Sequence, residues 1–393
     1  MLTSLDWLLQ VTQLPTAAGR EANVVAWIER WVGERPDLRL TQDDAGNLVV
    51  APEPRWGTGD EPIFITAHLD HPAFVVERAV GPGTVELSFR GGVMDVFFED
   101  APIRVHTAGG SVPGTLVGEA PASSALGKHY LAEVRGPAGV GDIATWEMPP
   151  GEIDGEGVVH THACDDLAAV AAALSALEEL RARRARGEPV LDVRLLFTRA
   201  EEIGFIGAIA ACKLGTMPKG SRVIALENSR SFPDSPIGGG PIVRVGDRMS
   251  IFTPWLTNAC AKRAEELAGA PAQPRASETH AQAAGKMRWQ RKLMSGGACE
   301  ASVYCAFGFD ATCLCLPLGN YHNMPNLTEL QEGRYDRSAL GPARCAREQI
   351  AASDYLGLVQ LLAGLGQSLP REDPVMARIE KLYADKKHVL DTR

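Results

Sequence analysis

Positive charge is the scarcer sign in this chain: 39 Lys and Arg stand against 49 Asp and Glu, a formal net charge of −10. Such a surface repels phosphate backbones and anionic lipid, so neither nucleic acid nor a membrane is an expected partner. Long apolar runs are missing, which excludes a membrane-spanning helix. The opening Met1-Leu-Thr-Ser-Leu-Asp-Trp7 has no basic region, apolar core or small-residue cleavage site, so a cytoplasmic location is expected. No pair among the eight cysteines has CxxC spacing. That removes zinc-ribbon and thioredoxin-like readings and leaves buried free thiols in a reducing compartment. Also absent are a GxSxG elbow, a Cys/His nucleophile motif, internal repeats and low-complexity tracts. Gly238-Gly-Gly240 lacks the strand–GxGxxG–helix context of a dinucleotide site and reads as a flexible turn.

What is present is ordinary globular composition: 45% hydrophobic residues, with 40 Gly and 26 Pro dispersed over 393 residues. The length suits two domains. Residues 21–34 place Val24, Val25, Ile28, Trp31 and Val32 on one helical face. Residues 47–51 and 62–67 read as strands, the second a continuous apolar run fit for a buried sheet. Between His71 and Val159 the rhythm changes to short alternating stretches, such as Thr84-Val-Glu-Leu-Ser-Phe89 and Ile103-Arg-Val-His106, separated by glycine turns. That predicts a small, compact β domain. Beyond it, helices over 167–180, 205–214 and 255–267 alternate with strands over 191–198, 222–226, 287–293 and 311–317. A last helix spans 348–365, and residues 270–285 read as a long surface loop.

The alternation predicts an α/β fold: a mostly parallel central sheet flanked by helices, with the small β-barrel domain inserted into it. The expected division is 1–70 with 161–393 for the α/β domain and 71–160 for the insert.

His68, Asp165, Glu202, Glu227 and His322 all fall where a predicted strand ends or a helix begins. In α/β sheets such positions converge on one crevice beyond the carboxyl ends of the strands. A site for two divalent ions needs this inventory: one imidazole and one carboxylate for each ion, and a carboxylate shared between them. His68 and His322 supply the imidazoles, Asp165 the bridge, and Glu202 and Glu227 the terminal carboxylates. Glu201 is free to act as general base. Asp70 follows His68 by two residues and could hold its other ring nitrogen. Nitrogen and oxygen donors alone favour zinc, with cobalt or manganese as substitutes.

Three further candidates, His160, His162 and Cys164, share one strand face, but the set of five is complete without them. His71 is expected at the surface or the pocket rim.

These residues resemble the TET-type metallo-aminopeptidases, a branch of the co-catalytic zinc peptidases, over nearly the whole chain. The likeness is carried by Ala67-His-Leu-Asp70, Cys164-Asp-Asp-Leu167, Glu201-Glu-Ile-Gly-Phe-Ile-Gly207 and Pro317-Leu-Gly-Asn-Tyr-His322. Asp44-Ala-Gly-Asn-Leu48 and Gly141-Asp142 look similar as well, and the family's β domain also lies between the first His and the bridging Asp. The resemblance implies removal of N-terminal residues from short peptides, with Asp165 as bridge, Glu201 as base and Glu202 as ligand. It also implies a homo-oligomer, a dimer or a larger dimer-based assembly, formed through the β insert.

Three departures bear on specificity, one of them the 270–285 loop, which looks like an insertion relative to the family. Glu227 stands where these aminopeptidases usually have Asp, whereas related carboxypeptidases and deacylases often have Glu. An N-acyl amino acid or a C-terminal residue is therefore the competing substrate. The family's Gly-Gly-Thr-Asp-Ala is here Gly296-Gly-Ala-Cys-Glu300-Ala301, one residue longer.

Overall fold

The apolar run Ile63–His68 forms a strand in which every residue is buried, as a strand must be when helices cover both faces of its sheet. It lies inside an eight-stranded sheet whose order is Leu38–Gln42, Leu48–Pro52, Val193–Thr198, Ile63–His68, Arg222–Arg230, Asp310–Leu318, Ile242–Asp247 and Gln290–Met294. The computed structural model describes residues 3–57, 61–272, 287–369 and 373–391. Its four central strands are mutually parallel, while Leu48–Pro52 and Ile242–Asp247 join them antiparallel. The sheet is thus parallel at its centre and mixed toward its edges.

The helix Leu167–Ala185 packs behind this centre, and residues 167–177 are buried without a break. Alanine at most of those positions lets it lie between the sheet, the helix Ser4–Val11 and the helix Ala352–Gln367. A helix apolar on every side is one enclosed on every side.

Between Ala73 and Trp146 six strands close into a barrel. Aromatic residues are only 6% of the chain, yet Phe74, Phe89, Phe98, Tyr130 and Trp146 meet inside this one barrel. Phe98 stacks on Tyr130 at 4.3 Å, and Phe74 meets Trp146 edge-on at 4.9 Å. Large rings fill a small closed interior with few residues.

At the chain's end the structure departs from the helix predicted over 348–365. Glu348–Ala351 is a strand, antiparallel to Val158–Thr161, and the helix begins only at Ala352. The period-3.6 signal belongs to Leu358, Leu361, Leu362 and Leu365, whereas buried Glu348 and Ile350 follow the alternation of a strand. A further helix, Pro374–Lys386, follows. Two sheet strands were also missed, Leu38–Gln42 and Ile242–Asp247. The loop expected at 270–285 falls mainly on residues 273–286, outside the described residues. All eight cysteines are unpaired. No helix among the described residues is long and apolar enough to cross a membrane.

Candidate metal centre

Asp165 sits between two imidazoles. Its Oδ1 is 3.3 Å from His68 Nε2, and its Oδ2 is 3.5 Å from His322 Nε2. Each ring offers the same nitrogen because its other nitrogen is tied to a carbonyl. His68 Nδ1 lies 3.1 Å from the Asp70 carbonyl, and His322 Nδ1 lies 2.6 Å from the Gly92 carbonyl. A carbonyl only accepts, so Nδ1 carries the proton in both rings and the Nε2 lone pairs face Asp165.

The remaining carboxylates divide between the two sides. Glu202 Oε1 is 3.4 Å from His322 Nε2, and donor atoms of Asp165, Glu202 and His322 lie within 4.8 Å of one another. On the other side, donor atoms of His68, Glu201 and Glu227 fall within the same limit, and Glu201 Oε2 is 3.8 Å from His68 Nε2. The structure therefore brings His68, Asp165, Glu201, Glu202, Glu227 and His322 into one crevice at the carboxyl ends of the central strands.

Such a cluster is unstable on its own charges. Burial pushes Glu201, Glu202 and Glu227 well above the usual carboxylate range, and their repulsion with Asp165 adds to it. Burial would raise Asp165 too, but the His322 and His68 imidazoles beside it hold it below its ordinary value. Burial opposes charge on His68, yet Glu201 and then Asp165 drive its pKa well up. Asp165 Oδ1 and Glu202 Oε1 are buried without a hydrogen-bond partner. Buried carboxylate oxygens without donors call for cations. Orphaned oxygens and outward-facing imidazole nitrogens in one place fit divalent metal ions.

The supporting residues explain how the sequence builds the site. Asp70 lies on the other ring nitrogen of His68, as the spacing predicts, with its carboxylate Oδ1 3.6 Å from Nδ1. Its carbonyl makes the closer contact at 3.1 Å, while the carboxylate also accepts the backbone N–H groups of Glu201 and Glu202 at 2.9 and 3.1 Å. Asp166 accepts from His68 N at 3.2 Å and from Asn228 Nδ2 at 2.7 Å, tying two strand ends together. His322, at φ 52°, occupies the left-handed region, a conformation that needs surrounding contacts to hold it. Glu348 provides one, accepting the N–H of His322 at 2.9 Å and that of Asp165 at 3.0 Å.

Nothing local in the sequence points to Glu348, which reads there as the opening of a helix. His71, expected at the rim, is buried: its Nδ1 meets the Asp165 carbonyl and its Nε2 lies 3.0 Å from Asn323 Oδ1. Glu300, noted only as a departure in a motif, is buried beside Glu201, and burial raises it to about 7. His160 pairs instead with Asp154, and His162 with the Pro149 carbonyl.

The family model described as M42 glutamyl aminopeptidase matches residues 132–331. No curated protein matches the chain by sequence. Among solved structures, an aminopeptidase from Desulfurococcus kamchatkensis is 20% identical with a TM-score of 0.70, covering 93% of this chain and 94% of its own. A TET aminopeptidase from a marine-sediment Thaumarchaeota archaeon is 16% identical with a TM-score of 0.71, covering 94% and 97%. The Pyrococcus horikoshii TET1 peptidase, which can assemble into a tetrahedron or a large octahedral shell, is 19% identical with a TM-score of 0.68, covering 93% and 100%. These likenesses establish a shared fold.

Proposed function

The chain belongs to the M42 glutamyl aminopeptidase family, and on that premise we propose that it removes N-terminal residues from short peptides at the crevice built around Asp165. The protein is a metal-dependent aminopeptidase. Our reading adds two ions of the zinc class: His68, Asp165 and Glu227 hold one, and His322, Asp165 and Glu202 the other. The observation that carries it is the Asp165 carboxylate, with one oxygen toward each imidazole and Oδ1 lacking any other partner.

When bound, such ions polarise the scissile carbonyl and make water acidic enough to attack near neutral pH. The chain's own residues supply the rest. Glu201, its backbone fixed by Asp70 and its carboxylate raised by burial, takes a proton from the attacking water and returns it to the leaving amine. The Nδ1 hydrogen bonds of His68 and His322 keep both rings in the tautomer that offers Nε2. The Gly92 carbonyl comes from the segment between two barrel strands, so the barrel orients one ligand directly.

We also propose a homo-oligomer, dimer-based, with the barrel as its contact domain, by analogy with the tetrahedral P. horikoshii peptidase. The eight unpaired cysteines support a cytoplasmic location.

The test is metal content on the purified protein, with hydrolysis of free-amine and N-acetylated peptide panels before and after chelation. About two ions per chain are expected, with chelator-sensitive release of N-terminal residues from free-amine peptides only. Glu201→Gln should retain the metals while kcat falls by roughly 100-fold or more. Cleavage confined to acylated substrates would move the function to deacylation.

A further inference from the structure

The C-terminal segment repeats itself every seven residues. Val375-Met376, Leu382-Tyr383 and Val389-Leu390 are apolar pairs at that spacing, and Ile379 stands between the first two. A seven-residue apolar period belongs to a helix that packs lengthwise on another helix. The segment does form a helix, Pro374–Lys386, whose N-cap Asp373 accepts from Val375 N at 2.9 Å. Asn258 Nδ2 donates to Asp373 at 3.2 Å, which fixes the helix start beside the helix Pro254–Ala268.

Yet this helix buries none of its described side chains. Every residue from Val375 to Leu390 is exposed. Helical spacing gathers Val375, Met376, Ile379, Leu382, Tyr383 and Leu390 on one face, and they are 39–73% exposed. A helix of 13 residues is marginal in water unless its apolar face is packed. Single exposed apolar side chains are ordinary, whereas a contiguous face of them marks an interaction surface.

The charges point to the occupant. Residues 373–391 carry four Lys or Arg against four Asp or Glu, so no basic excess draws the helix onto an anionic membrane. The pattern is instead complementary to its own reverse. Laid antiparallel on a second copy, with Tyr383 opposite Lys386, Ile379 meets Leu390 and Leu382 meets Val389. On the other flank Glu380 falls opposite Lys387, where paired helices place their salt bridges. A two-fold axis makes each of these contacts twice. Lys386, the charge within the seam, then lies against a Tyr383 ring, a favourable place for an ammonium. A parallel pair in register would set Lys386 against Lys386. An antiparallel pair shifted by one heptad would set Glu380 against Glu380.

We propose that the helix Pro374–Lys386 pairs antiparallel with the same helix of a second copy, at a contact separate from the barrel. The proposal stands apart from the chemistry of the metal centre. Where the barrel already holds two copies, the helix pair joins such dimers into a larger particle.

The experiment is molar mass by light scattering on the full-length, metal-loaded protein over a range of concentrations, with kcat/KM on a short free-amine peptide measured in parallel. Ile379→Asp and Tyr383→Asp change exposed positions that the fold does not need. Each should lower the mass of the wild-type particle at least about twofold and leave kcat/KM unchanged. A fall to monomer places the self-contact in the helix, and a fall to dimer leaves the barrel contact beside it; both support the pairing. Glu380→Lys should weaken association by roughly three- to tenfold, and adding Lys387→Glu should restore it.

A monomeric wild type, or Asp variants that keep the wild-type mass, would overturn the proposal. So would a Glu380→Lys variant that associates as tightly as wild type. A monomeric wild type that sediments with vesicles of phosphatidylcholine and phosphatidylglycerol would give the face to lipid instead.

Discussion

The Asp70 carboxylate accepts the backbone N–H of Glu201 at 2.9 Å, and its second oxygen accepts that of Glu202 at 3.1 Å. One buried side chain thus fixes the spacing between the proposed base and a proposed metal ligand. It does so from two residues beyond the first proposed ligand, His68. Asp70→Asn keeps the size but turns one acceptor into a donor facing an N–H group. The variant should lose about 10- to 100-fold in kcat/KM or in metal affinity, measured by peptide kinetics and metal titration. Wild-type values for both would refute the positioning role.

Gly207 closes the same turn. Its N–H donates to the Arg199 carbonyl at 2.8 Å, and its carbonyl accepts from Asn47 Nδ2 at 3.0 Å. A Cβ there would collide with the Arg199 backbone and come within 2.7 Å of Asn47 Oδ1. Gly207→Ala should therefore cost about 1–3 kcal/mol of stability and lower activity by shifting Glu201 and Glu202. Denaturant unfolding with parallel kinetics checks this; an unchanged midpoint would mean that the helix start yields easily.

Two buried imidazoles make a contribution to stability that is lost on mild acidification. Burial holds the His106 imidazole down to about 4, with His162 and Arg104 adding to the effect, and burial likewise holds His71 at about 4. Unfolded, each titrates near 6.5, so between pH 6.5 and 4 each of these two rings binds more protons in the unfolded chain than in the native one. Their contribution is complete above pH 6.5 and is lost as pH falls toward 4, by up to about 3 kcal/mol for a fully buried ring. His106→Gln should flatten the pH profile of unfolding free energy in that window. A variant profile as steep as wild type would assign the slope to other groups.

Removing metal should destabilise the fold as well as abolish turnover. Glu201, Glu202 and Glu227 are raised by burial and mutual repulsion, a strain that bound cations relieve. With metal at 1,000 times its Kd, loading contributes about 4 kcal/mol. Thermal scans before chelation, after it, and after readdition of zinc, cobalt or manganese should show the midpoint drop and recover. An unchanged midpoint in metal-free protein would show that the cluster tolerates its own charge.

The candidate site was legible in the sequence to the extent that its chemistry is local. His68-Leu-Asp70, Asp165-Asp166 and Glu201-Glu202 each sit at a strand end or helix start, and the apolar periods on either side mark those boundaries. The same periods gave the α/β alternation and the change of rhythm over the barrel. Residues that work through one long-range bond left no such mark. Glu348 looked like a helix opening because the heptad-like leucines after Ala352 dominate its neighbourhood, and nothing local reports that its oxygens reach Asp165 and His322. His71 reads as polar punctuation until Asn323, some 250 residues away, is folded against it.

By itself, then, the sequence determined which residue types stand at the carboxyl ends of the central strands, since hydrophobic periodicity and turn chemistry are encoded residue by residue. Only the tertiary structure decided which carboxylate lies between the two imidazoles and which ring nitrogen each histidine presents. Those facts depend on strand register and on contacts between distant segments, where a shift of one residue would turn each side chain to the opposite face of the sheet.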